Sequence, residues 1–182
     1  MRSPPRTLAP RLLALLLLMV AGCATAPTEQ RSMLTTAYCP CGECNGYERG
    51  RWRYLKLDVW NRYLTYGSQS GQKYTGATAG GHRLVTPRPG LFSGDSLERP
   101  WMIPVRILLP WRAFPRKGTI AADTDYYPFG TVMHVPGWGT GIVDDVGGAI
   151  KGPERLDLMH RSHRAANRWG RQRVTVTIEY PE

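Results

Sequence analysis

Apolar and polar positions alternate most regularly at the end of the chain, where Val174, Val176, Ile178 and Tyr180 fall on one face and Thr175, Thr177 and Glu179 on the other. A period of two predicts a half-buried strand. Shorter runs of the same kind precede it: Thr119 to Ala122, Thr131 to Val135 and Gly141 to Asp144, with Pro136-Gly-Trp-Gly-Thr140 reading as a hairpin turn between the last two. Arg155-Leu-Asp-Leu-Met159 also alternates, so Leu156 and Leu158 share one face and Asp157 points to the other. Between these strands Ser162 is placed to cap a helix over His163 to Trp169, with Gly170 as its terminator.

Upstream the pattern is less regular. Met33 to Tyr38 is rich in Thr and Tyr and reads as a strand. Trp52, Leu55, Val59, Trp60, Tyr63 and Leu64 recur every three or four residues, which predicts a packing helix over Arg51 to Tyr66. The stretch from Tyr66 to Pro115 is dominated by Gly, Pro, Ser and Arg and reads as loops, with Val105 to Leu109 as a short or edge strand between Pro104 and Pro110. No internal repeat is evident.

The first residues are of a different kind. Arg2, Arg6 and Arg11 precede an apolar run from Leu12 to Val20, which ends in Val20-Ala-Gly-Cys23. The run is too short for the roughly 20 residues that span a bilayer, so it reads as an export signal. Small residues leading into a cysteine resemble the bacterial lipobox, which implies cleavage before Cys23, lipid on its sulfur and an anchored protein. Residue 24 is Ala rather than an aspartate, which favours the periplasmic face of the outer membrane. The organisation expected is therefore a lipoprotein signal over 1–22, a tether over 23–32, and one domain over 33–182 with insertions in 45–115.

Removing the signal leaves about 160 residues, enough for one core without help from metals. The formal charge of +10 falls to about +7 when the three signal arginines are discounted, so the exported part favours anionic partners. The arginines are scattered among Trp and Tyr rather than blocked, and the address is extracytoplasmic, which argues against nucleic acid and for envelope polymers or lipid headgroups. Three cysteines remain after Cys23, all in Cys39-Pro-Cys41-Gly-Glu-Cys44. An oxidising compartment favours one disulfide with a leftover thiol; the alternative is a soft-metal site using Cys39, Cys41 and Cys44 with a fourth ligand such as His82 or His134.

The chemistry-bearing residues gather late in the chain. Ala122-Asp123, Pro128-Phe-Gly-Thr131, Val135-Pro-Gly-Trp-Gly139, Asp145-Val-Gly-Gly-Ala-Ile-Lys-Gly152 and Arg155-Leu-Asp157 together resemble the three-aspartate (3D) domain of membrane-bound lytic transglycosylase A and related cell-wall proteins. Thr36-Ala-Tyr38 and Thr75-Gly-Ala-Thr-Ala-Gly80 are similar, more loosely, to the opening motifs of the shorter 3D proteins. The resemblance implies a mainly β fold, a six-stranded double-psi β-barrel, here with peripheral helices and long loops.

It also implies an activity: cleavage of the β-1,4 bond between N-acetylmuramic acid and N-acetylglucosamine of peptidoglycan, giving a 1,6-anhydromuramyl end without water and without a cofactor. Carried over by position, Asp157 is the general acid, Asp145 its electrostatic or substrate-binding partner and Asp123 the third aspartate. Protonation of Asp157 at neutral pH requires an upward pKa shift, which the like charge of Asp145 and burial beside Leu156 and Leu158 would supply, and which Lys151 would oppose. Gly147 and Gly148 let backbone approach a sugar, and Trp138, with Trp101 and the loop arginines, offers aromatic and cationic contacts. The alternative for each aspartate is that it caps a turn. Asp144, on the opposite strand face from Asp145, reads as a solvated bystander.

The family's full transglycosylase carries a further domain that forms the second wall of its groove, which has no counterpart in this length of chain. Two readings follow: a monomeric glycan-cleaving enzyme, or a non-catalytic peptidoglycan-binding lipoprotein on the same barrel. A metal-binding structural lipoprotein is a third.

Overall fold

The computed structural model describes residues 28–50 and 58–181. The expected export signal and Cys23 lie outside the described residues, as does the first part of the helix expected from Arg51. Among the described residues no helix is long and apolar enough to cross a membrane.

Six strands close into a barrel: β1 (Thr28–Tyr38), β4 (Gly118–Ala121), β5 (Val132–Val135), β6 (Gly139–Asp145), β7 (Arg155–Met159) and β8 (Gln172–Glu179), in the order β1-β7-β4-β6-β5-β8. β1 runs parallel to β7 and β4 parallel to β6, while the other neighbours are antiparallel. The chain is thus mainly β with a closed six-stranded barrel, as the family resemblance implies. Closure leaves no strand edge unpaired in the barrel.

Alternation explains the interior. Met33, Ile120, Met133, Val135, Val143, Leu156, Leu158, Val176 and Ile178 are all fully buried in one cluster with Tyr127. Each such aliphatic side chain contributes about 1.5–3 kcal/mol by leaving water. Thr35 is the polar member of this inner face, and it is satisfied: Oγ1 donates to the Gln172 carbonyl at 3.0 Å and accepts from Trp169 Nε1 at 3.2 Å. β1 begins at Thr28 rather than Met33, because β8 is long enough to pair with it from Thr28↔Glu179 to Thr35↔Gln172.

The hairpin over Pro136 to Trp138 and the helix α5 (His163–Trp169) form where the pattern places them. Gly137 and Gly139 take positive φ in that turn, and Ser162 accepts a hydrogen bond from Ala165 N at the start of α5.

Two expected elements come out differently. The described part of the Arg51 to Tyr66 segment contains β3 (Arg62–Leu64), paired antiparallel with β2 (Tyr47–Arg49), not a helix. Among the described residues of this segment Trp60 is 76% exposed and enters no core, and the short ribbon is held instead by Tyr47 stacked on Tyr74 at 4.4 Å. The run expected as a strand at Val105 to Leu109 belongs to a helix, α3 (Met102–Leu108), between the short α2 (Gly94–Glu98) and α4 (Pro110–Ala113); α1 (Gly42–Asn45) carries the cysteine turn. Pro104 sits in the first turn of α3, where a missing N–H costs nothing. The helical turn carries Arg106 inward, where its guanidinium bonds Asp95 and Ser96.

Candidate functional site

Strand register brings two of the three aspartates together. Ala121 of β4 pairs antiparallel with Asp157 of β7 and parallel with Asp145 of β6, so one alanine separates the two acidic positions across the sheet. Leu156 and Leu158 fill the barrel, which turns Asp157 to its outer face. Asp145 reaches that neighbourhood because the β4–β6 register shifts between Ile120 and Ala121, an irregularity that re-aims a side chain at a strand end. A second small cluster of Tyr38, Ala121 and Met159, with Cys44 and Leu84 against it, packs outside the barrel here.

Burial acts first on Asp157 and raises its carboxyl to about 6; the nearby Asp145 carboxylate adds to the rise. Hydrogen bonding opposes it. Thr36, its partner on β1, donates from Oγ1 to Asp157 Oδ1 at 2.9 Å, and the Leu158 backbone N–H also favours the charged form. Asp145 accepts three hydrogen bonds: from Tyr38 Oη at 3.0 Å, Ala79 N at 3.1 Å and Val146 N at 3.0 Å. Burial and the Asp145 charge push the Tyr38 hydroxyl far above its ordinary range, so it stays a donor.

Asp123 does different work. It is 7% exposed, and its oxygens accept from Gly152 N at 2.8 Å and Asp125 N at 3.3 Å. The Gly152 N–H is the main reason its carboxyl lies below the usual value, against some desolvation, with Lys151 adding a favourable charge. This aspartate ties the turn after β4 to the glycine-rich loop before β7. Lys151 itself is exposed. A Cβ on Gly147 would lie 2.6 Å from Ile150 Cγ1, whereas one on Gly148 would meet open space, so Gly147 serves packing and Gly148 leaves the loop surface clear.

Asp144 is no bystander. It faces the loop that follows Tyr74, where Thr78 Oγ1 donates to Oδ2 at 2.7 Å, His82 Nδ1 meets Oδ1 at 2.8 Å and Gly80 N donates to its carbonyl at 2.9 Å. A Cβ on Gly80 would sit 2.1 Å from Asp144 Oδ1, which explains a glycine at this point. Asp144 and Asp145 together clamp the Thr75 to Gly81 motif onto the barrel. Alternation alone missed this, because the loop that covers Asp144 comes from more than sixty residues earlier in the chain.

Trp138 is held by packing: its Nε1 donates to the Met159 carbonyl at 3.2 Å, and its ring lies where a Cβ on Gly118 or Gly141 would be. Its remaining face lines a cavity of about 210 Å³ with Pro87, His160 and Arg161. The arginine-rich segment encloses a larger cavity of about 530 Å³, lined by Arg88, Arg99, Arg106, Arg112 and Trp101. Trp101 is 67% exposed there.

The cysteines are free thiols rather than a disulfide pair with one left over. Neither His82 nor His134 stands beside them. His82 is engaged with Asp144, His134 lies exposed next to Thr140, and the histidine that reaches the thiols is His163 at the start of α5.

Residues 118–180 match the family model of the 3D domain. Two proteins of Bacillus subtilis (strain 168) are similar over this part: YabE, named for cell wall shaping, is 38% identical over 64 residues, which is 35% of this chain and 16% of that protein. The cell wall-binding protein YocH is 36% identical over 64 residues, 35% of this chain and 22% of that protein. The chain thus spans less than a quarter of the length of either relative. The matched part supplies β4 to β8, and β1, which lies outside it, closes the barrel between β7 and β8. The part of the chain that carries Asp123, Asp145 and Asp157 is therefore similar to the 3D domain over residues 118–180, and β1, from outside that match, completes its barrel.

Proposed function

We propose that the chain acts on cell-wall peptidoglycan as a lytic transglycosylase-like enzyme, with Asp157 as the single general acid and base. The observation that carries this reading is the contrast between neighbouring carboxyls: Asp157 is raised to about 6 by burial, while Asp145 receives three donors. Environments that differ in this way assign acid and electrostatic roles.

In the proposed reaction Asp157 gives its proton to the glycosidic oxygen as the bond from that oxygen to C1 of the muramyl sugar breaks. The C6 hydroxyl of the same sugar then bonds to C1 and returns its proton to Asp157. No water enters, so a second carboxyl to activate one is not needed, in contrast to most hydrolysing glycosidases. Asp145, oriented by Tyr38, stabilises the oxocarbenium-like centre and maintains the pKa of its neighbour. Gly148 leaves room for the glycan, and Trp101 with Arg88, Arg99 and Arg112 offers a cationic and aromatic surface for its carboxylates. Asp123 supports the loop without touching substrate. Anchoring at the envelope through lipid on Cys23 belongs to the same proposal.

The test is product analysis. Purified protein incubated with peptidoglycan should release anhydromuramyl fragments by mass spectrometry, and Asp157→Asn should release none. A name given to one relative, cell wall-binding, favours a second reading in which the barrel binds glycan without turnover. Retention of the protein on peptidoglycan with no anhydro product from wild type would establish that reading and remove the first.

A further inference from the structure

Three cysteines and one histidine converge outside the aspartate site. Cys39, Cys41, Cys44 and His163 each offer one ligand atom, and these atoms all lie within 4.8 Å of one another. His163 comes from α5, more than a hundred residues along the chain, and its Nδ1 lies 3.4 Å from Cys44 Sγ and 3.6 Å from Cys41 Sγ. Cys39 Sγ lies 3.0 Å from Cys41 Sγ and 3.6 Å from Cys44 Sγ.

We infer that Cys39, Cys41, Cys44 and His163 form a closed, four-ligand zinc site that staples the end of β1 to the start of α5. Tetrahedral zinc, with Zn–S near 2.3 Å and Zn–N near 2.0–2.1 Å, requires S···S edges of about 3.8 Å and S···N edges of about 3.6 Å. Both observed S···N distances and the Cys39–Cys44 edge are within about 0.2 Å of those values, and the Cys39–Cys41 pair has to open by about 0.8 Å. Cys41 and Cys44 have the two-residue spacing of zinc knuckles. A disulfide would use two of these thiols and leave the third, and the histidine, without a role.

The surroundings are also those of a metal site. Glu43 Oε2 lies 3.5 Å from His163 Nε2, the ring nitrogen opposite the thiols, as in carboxylate–histidine–zinc arrangements that fix the tautomer. Asn45 Nδ2 donates to the carbonyls of Cys39 and Cys41 and holds the turn, and Tyr47 Oη donates to the Pro40 carbonyl. Four protein ligands leave no open position, so the ion is structural and does not act on substrate. Its effect reaches the barrel through the backbone: Cys39 follows Tyr38, whose carbonyl accepts from His160 N at 2.7 Å and whose hydroxyl orients Asp145.

The test uses the full chain, purified in detergent and under reducing conditions without a histidine tag. Elemental analysis should find about one zinc per chain, and replacement by cobalt(II) should give the visible spectrum of a tetrahedral thiolate complex. In chelator competition Glu43→Gln should weaken zinc binding about 10- to 100-fold, His163→Ala at least as much, and His134→Ala not at all. A folded wild-type chain that takes up neither zinc nor cobalt would overturn the inference, as would zinc affinity indifferent to both His163→Ala and Cys44→Ser. If either variant fails to fold, the cobalt spectrum of the wild type decides alone: without thiolate-to-cobalt bands the site is not this one. Because every readout is metal binding, the outcome does not depend on whether the barrel cleaves glycan.

Discussion

Thr36 and Asp157 are partners on two parallel strands, and the Thr36 hydroxyl donates to the Asp157 carboxyl at 2.9 Å. That bond favours the charged form, so it works against the burial that raises Asp157 to about 6. A general acid is active while protonated, so product release should be full below about 6 and fall as pH rises through it. Thr36→Val removes the opposing bond. It should move the alkaline limb of the pH–rate profile upward by about 0.5–1 pH unit, from a hydrogen bond of order 1 kcal/mol. A limb that stays in place in Thr36→Val would separate Asp157 from the rate.

Asp157→Asn should abolish turnover and also stabilise the fold. The carboxyl has a higher pKa folded than unfolded, so the native state is fully favoured below the unfolded value near 4 and loses stability as pH rises through about 6. Asparagine carries no charge and keeps an acceptor for Thr36. Denaturant unfolding at pH 7.5 should show a gain of up to about 2–3 kcal/mol, vanishing below pH 4. Equal stability of variant and wild type at both pH values would show that Asp157 is not buried as described.

Asp123→Ala should have the opposite signature. Its carboxyl lies below the usual value because Gly152 N–H bonds it, so its stabilisation is present above about pH 4 and disappears as pH falls through the lower folded value. The variant should melt at a lower temperature at neutral pH, and the difference should close in acid. Any residual glycan cleavage should keep the wild-type pH dependence, since Asp123 bonds loop backbone and neither of the other aspartates.

Two glycines distinguish a clamp from an open surface. Gly80→Ala places a methyl 2.1 Å from Asp144 Oδ1 and should cost about 1–3 kcal/mol while loosening the loop that donates to Asp145. Gly148→Ala meets nothing within 4 Å and should leave stability within about 0.5 kcal/mol of wild type. Thermal denaturation of the pair decides, and a Gly148→Ala chain as damaged as Gly80→Ala would contradict the loop geometry.

The late strands, the helix after Ser162 and the inward faces of β7 and β8 were legible in the sequence because alternation and capping are local properties. The same holds for the motif around Asp145 to Asp157, whose resemblance to the 3D domain gave the barrel. The Val105 to Leu109 run failed for a local reason: a proline in the first turn of a helix looks like a strand boundary when the partner of Arg106 is unknown. Three relationships depended on the closed barrel. Ala121 stands between Asp157 and Asp145, Asp144 receives the Thr75 to Gly81 loop, and His163 meets the cysteines. Each joins segments separated by at least twenty residues, and spacing along a chain carries no information about such distances. Local sequence therefore determined which aspartates could do acid chemistry and which cysteines could bind a metal, but not which histidine joins them. Strand register, set only when six strands close, decided which of them face one another.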